Sequence, residues 1–168
     1  MDYFALLYRL NSENQFLIWI TSESDSVVVD AEGFIPTFKD RVALRLYAER
    51  NGFTLTEAEP ILHDLDWVAT WTRSPAEPCD YHKVLGAWNL FSDVAGSVGA
   101  RGISFAGLDQ RCQPIYERVF WGSNLPAVTP AGCHFVPDWR PDEVTSMTEL
   151  LSAGMEMFSA SIRGWPPE

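Results

Sequence analysis

Two apolar runs near the start of the chain, 3–10 and 15–21, are separated only by Asn11-Ser12-Glu13-Asn14. Both are rich in Phe, Ile, Tyr and Trp, side chains that suit a pleated, half-buried surface, so the pair predicts a β-hairpin. The β-branched run Ser26-Val27-Val28-Val29, ended by a Glu32-Gly33 turn, predicts a third strand. Strands joined by such short connections form an antiparallel sheet, whose apolar face then needs a covering layer.

The remaining sequence supplies that layer, because its apolar residues change to helical spacing. Phe38, Val42, Leu46 and Tyr47 recur at helical spacing, with Thr37 available as a cap and Asn51-Gly52 as a left-handed stop. Val42, Leu44 and Leu46 also alternate as a strand would, but the Ala, Leu, Arg and Glu content favours helix. Glu57-Ala58-Glu59-Pro60 reads as loop, followed by a short helical piece carrying Trp67 and Trp71, and then a connector, 73–78, with prolines at 75 and 78. Tyr81, Val84, Leu85, Trp88, Phe91, Ala95 and Val98 form one stripe, with Asp80 as its N-cap and Gly99 after it. Pro114 suits the first position of a helix over 115–121, closed by Gly122, although this aromatic segment also fits a strand. Val144, Met147, Leu150, Leu151, Met155, Phe158 and Ile162 mark a last helix that begins at Pro141, with Asp142 and Glu143 complementing its dipole and Gly164 beyond its last turn. The expectation is an α+β fold over 1–168 as a single domain: a small antiparallel N-terminal sheet packed against a mostly helical C-terminal half.

Composition supports a chain with a large core. Hydrophobic residues make up 46% of the 168, including seven Trp and ten Phe, and a domain of this size buries roughly 70% of its unfolded surface. The longest apolar run, Phe16-Leu17-Ile18-Trp19-Ile20, is far short of the roughly 20 residues that span a bilayer. Met1-Asp2-Tyr3-Phe4 places an acid and no base ahead of the apolar stretch, so no secretory leader is expected and the cytoplasm is the expected location. Cys79, Cys112 and Cys133 are odd in number and irregularly spaced, which predicts thiols in a reducing compartment.

Charge narrows the partners. With 23 acids against 12 bases the net charge is −11, which repels phosphate backbones and anionic lipid and disfavours direct nucleic-acid binding. The same field attracts a basic protein and raises its on-rate; it also serves simple solubility.

Chemical motifs are weak. Cys79, His82, Cys133 and His134 lack the ligand spacing of a zinc site. His63 has Asp64 and Asp66 nearby, but no Gly-x-Ser-x-Gly elbow supplies a nucleophile. Gly96-Ser97-Val98-Gly99-Ala100-Arg101-Gly102 lacks the Lys-Ser/Thr ending of a phosphate loop and follows a helix, so it reads as a turn. Neither a catalytic residue, a metal nor a cofactor is expected.

The acids themselves are unevenly placed. Glu13, Glu23, Asp25, Asp30 and Glu32 occupy a stretch with no base, as do Glu57, Glu59, Asp64 and Asp66. If the sheet edge and the loop before Trp67 share a side, Glu23, Asp25, Glu57, Glu59, Asp64 and Asp66 form a partner-binding surface with aromatic anchors beside it. The plainer reading makes Trp67 and Trp71 one face of a buried helix and leaves the acids to solvate loops.

The segment Tyr116-Glu117-Arg118-Val119-Phe120-Trp121-Gly122-Ser123-Asn124-Leu125-Pro126-Ala127, with the amphipathic helix after it, resembles parts of bacterial immunity proteins from contact-dependent inhibition and other polymorphic-toxin systems. That resemblance implies stoichiometric inhibition of a basic toxin protein, often a nuclease, with no residue acting catalytically. The competing expectation is a small enzyme or ligand-binding domain with an aromatic pocket near Trp67, Trp71 or Trp121, using polar groups such as His63, Asp66 or His134.

Overall fold

The computed structural model describes residues 1–76 and 79–166, and within them the chain is α+β. The hairpin forms as β1 (Asp2–Leu10) and β2 (Glu13–Thr21), paired antiparallel from Asp2↔Thr21 to Leu10↔Glu13. Only Asn11 and Ser12 make the turn, both with positive φ (54° and 64°), the conformation whose twist matches a two-residue hairpin. Two short strands complete the sheet: β3 (Ser26–Val27) on the outer side of β2, and β5 (Leu62–Asp64) parallel to β1.

Both faces of this sheet are covered, and alternation decides which side chain goes where. Leu6, Tyr8, Leu17 and Val27 face the helical layer, whereas Ile18, with Tyr3, Ala5, Phe16 and Ile20 beside it, faces a second core containing Phe38, Leu44, Tyr47 and Ala48. The second core is roofed by α1 (Arg41–Arg50) and closed by the chain's far end, where β6 (Ile162–Gly164) runs parallel to β4 (Ile35–Thr37). Trp165 then packs its ring 5.6 Å from Tyr47 and 5.9 Å from Phe38.

The helical layer consists of α2 (Leu65–Arg73), α3 (Tyr81–Ser97), a single 3-10 turn at Gly99–Gly102, α4 (Ile103–Arg111), α5 (Gln113–Gly122) and α6 (Pro141–Ser161). Helix α3 is its centre, packed on α2, α4, α5 and α6 as well as on β3 and β5. At the crossing of α3 and α6 a Cβ on Gly154 would lie 2.2 Å from the Phe91 ring, so only glycine allows this approach. Asp80 caps α3 by accepting from the Lys83 N–H, and the Glu143 carboxylate accepts from the Arg140 N–H at the start of α6. That bond, with the Arg118 guanidinium beside it, holds the Glu143 carboxyl below its ordinary range.

Several expectations need correction. Helix α1 starts at Arg41 under an Asp40 cap, not at Thr37, because residues 35–37 are a strand and Phe38 exchanges backbone bonds with Phe16. This start sets the phase of the helix: Leu44, Tyr47 and Ala48 turn inward, while Val42 and Leu46 are exposed. The segment 113–122 is helical throughout, its strand alternative having lost to a Pro-led first turn. Strand β5 makes the sheet mixed, not purely antiparallel. Of the expected connector 73–78, Glu77 and Pro78 lie outside the described residues.

A candidate binding cleft beside strand 1

Between β1 and β5 the pairing is interrupted. The Thr56 N–H donates to the Tyr3 carbonyl, and pairing resumes at Leu7↔Leu62. The five residues between, Glu57 to Ile61, arch away from the edge of β1. They are tied down on the α1 side by two ion pairs, Arg45–Glu57 at 3.2 Å and Arg41–Glu59 at 2.8 Å. On the α3 side the arch leaves a half-open cleft of about 340 Å³, walled by Phe4, Leu6, Trp19, Pro60, Ile61 and Leu90. Ile61 at the rim is 82% exposed.

Polar groups enter this apolar space from one side. His63, Gly86, Asn89 and Asp93 line it. The Asp93 carboxylate accepts from the Trp19 indole N–H at 2.9 Å. Burial pushes the Asp93 carboxyl up to about 6, the Trp19 bond opposes the rise, and the negative Asp25 nearby adds to it. His63 donates from Nδ1 to the Gly86 carbonyl at 3.2 Å, which assigns the remaining lone pair to Nε2. Burial lowers the His63 pKa, with the Gly86 bond acting the other way, so the ring is neutral at pH 7. A Cβ on Gly86 would sit 3.4 Å from Nδ1, in contact with the ring. Asn89 is exposed, its side-chain oxygen accepting from the Tyr116 hydroxyl at 2.9 Å. No Lys or Arg lines the cleft.

The six acids expected to meet a partner fall into separate places. Glu23 and Asp25 are exposed on the loop between β2 and β3, and Asp25 is close enough to act on Asp93. Glu59 lines the cleft, and both it and Glu57 are held against α1 by arginines. Asp64 caps α2 through the Trp67 N–H and lies 3.8 Å from Lys83 and 3.9 Å from Arg9. Asp66 accepts from the backbone N–H groups of both turn residues, Asn11 at 2.8 Å and Ser12 at 2.7 Å, so it latches the hairpin tip. That tip and the 22–25 loop mark opposite ends of nine-residue strands, roughly 26 Å apart at about 3.3 Å per residue. Asp30 and Glu32, from the same base-free stretch, pair with Arg163.

Trp67 and Trp71 do not line this cleft, and a separate cavity is lined by Trp121 and Phe135. The Trp67 and Trp71 rings stack at 6.2 Å and pack on the main core, with Trp71 buried, while the aromatic walls of the cleft are Phe4 and Trp19. Sequence reading missed Trp19, Asn89 and Asp93. One signal was available: Asp93 is an acid two residues after Phe91 and two before Ala95, on the margin of an otherwise apolar helical stripe. The resembling segment contains Asn124, whose side chain both donates to and accepts from the backbone of Phe135 at 2.9 and 2.7 Å, and an exposed Trp121. Among the described residues no group of three His, Cys, Asp or Glu is placed to hold a metal, and no helix is long and apolar enough to cross a membrane.

The rim itself is testable. Arg41→Ala with Arg45→Ala should leave global stability within about 1 kcal/mol, because both pairs are exposed. The same double variant should speed amide exchange in residues 57–61; unchanged exchange there would mean the ion pairs do not hold the arch. Comparison of the chain with protein families, with characterised proteins and with solved structures finds no match.

Proposed function

We propose that this chain is an immunity-type inhibitor that binds a basic toxin protein in the cytoplasm, one to one, through the cleft beside β1 and the acidic loop at residues 22–25. The observation that carries this reading is the cleft's composition: apolar walls with an exposed Ile61 at the rim, the acids Glu59 and Asp93, and no Lys or Arg among the lining residues. Apolar anchors surrounded by charges of one sign are what a steered, desolvating protein interface requires. The net charge of −11 supports the same partner chemistry over the whole molecule. Because Asp64 and Asp66 are engaged in caps and latches and Glu59 is paired with Arg41, the docking surface narrows to Glu23, Asp25 and Asp93.

The histidine favours binding over catalysis. His63 is oriented by a backbone carbonyl, not by a carboxylate, and its lowered pKa leaves it a weak base.

The experiment is co-expression with a basic toxin domain encoded immediately beside this gene. Growth should be rescued and a one-to-one complex should form, with an association rate that falls as salt rises. Ile61→Asp should weaken that complex by at least tenfold while the fold is retained. Rescue that survives Ile61→Asp with undiminished affinity would remove the cleft from the interface, and an association rate indifferent to salt would remove the steering.

A further inference from the structure

The cleft also specifies what enters it, given the reading that the partner is a cationic protein. We infer that the cleft is a socket for a single arginine side chain of that partner. An apolar ligand alone would cover Asp93 without neutralising it, and a buried, unpaired carboxylate is costly. An anion would meet Glu59 and Asp93 and no Lys or Arg among the lining residues. A cationic group on an apolar stem satisfies both halves of the site: the stem lies along Leu6, Pro60 and Leu90, and the head reaches Asp93.

Arginine fits better than lysine for three reasons present in the geometry. Trp19 offers an indole beside the acid, and a guanidinium stacks on such a ring while an ammonium stays hydrated. Asp93 uses only Oδ2 to hold Trp19, leaving Oδ1 to accept a second donor. The Asn89 side-chain oxygen, which takes one bond from Tyr116, has a further lone pair for another N–H of the same planar fork. The volume of about 340 Å³ lies at the lower end of the roughly 300–1,000 Å³ seen for ligand sites, room for a long side chain but not for a folded element.

The test uses the full chain and a small probe. N-acetyl-arginine-methylamide is titrated into labelled protein while the Trp19 indole N–H resonance is followed, beside the lysine analogue and the neutral, isosteric citrulline analogue. A saturable shift of Trp19 is expected with arginine, at least fivefold weaker with lysine and absent with citrulline. Asp93→Asn, which keeps an acceptor for Trp19 and hence the fold, should raise the arginine Kd at least tenfold. Equal binding of arginine and citrulline, undiminished binding to Asp93→Asn, or shifts confined to residues outside the cleft would each overturn the socket. Toxin rescue with no arginine binding would discard the socket and leave the inhibitor reading standing; arginine binding without rescue would do the reverse.

Discussion

Asp93→Asn is expected to make the protein more stable at pH 7 and to bind its partner less well. The Asp93 carboxyl is pushed up to about 6 from its ordinary 3.8, chiefly by burial. The folded state therefore holds a proton that the unfolded chain releases between about pH 4 and pH 6. Where the native state binds more protons, stability falls as pH rises, so ionised Asp93 costs the fold something at neutral pH. The displacement sets a ceiling of about 3 kcal/mol, and the group's partial exposure to solvent reduces this to about 1–2 kcal/mol. Asparagine removes that cost and still accepts from Trp19. Urea denaturation at pH 7 should show the gain, and at pH 3.5, where the wild-type carboxyl is protonated in the folded state and mostly so in the unfolded one, the two proteins should be nearly equal. A gain that persists unchanged at pH 3.5 would mean that packing, not ionisation, is responsible. An acid kept where asparagine would be more stable is the pattern of a functional group.

The second large effect is at the other end of the sheet. Asp66→Ala should cost about 2–3 kcal/mol, since two bonds from backbone N–H groups to one carboxylate are lost. Asn11 and Ser12 keep their left-handed backbone after the loss, with nothing fastening the turn to α2. Asp66→Asn, which retains one acceptor oxygen, should lose about half as much. Affinity for a partner should be unchanged in both, because Asp66 and the turn it latches are not among the residues that line the cleft. A variant of Asp66 that folds normally yet binds poorly would restore this residue to the docking surface.

These two acids also show how far sequence alone reaches. The hairpin, the Asp80 cap and the start of α6 at Pro141 were legible because each depends on residues within a few positions of one another. The phase of α1 was not: Val42 and Leu46 are more apolar than Ala48, and only the strand at 35–37 and the Phe16–Phe38 bridge dictate that Leu44, Tyr47 and Ala48 face inward. Strand β5 is three residues long and carries no periodicity to read. The fate of the acids was hidden for the same reason. Asp66 meets partners 54 and 55 residues away and Asp93 meets Trp19 across 74, so composition reveals the surplus of charge while tertiary packing decides which charges are left over. The cleft likewise exists only because the chain leaves β1 after Leu55 and returns at Leu62.

Backbone hydrogen exchange, measured on the free protein and on its complex with the basic toxin domain, bears most directly on the use of the cleft. Protection should rise in the 57–61 arch, in the 19–25 segment and along α3 from Gly86 to Asp93, with the hairpin tip at Asn11 and Ser12 unaffected. Protection that instead gathers at the hairpin tip and α2, with the arch exchanging as fast as in the free chain, would contradict it.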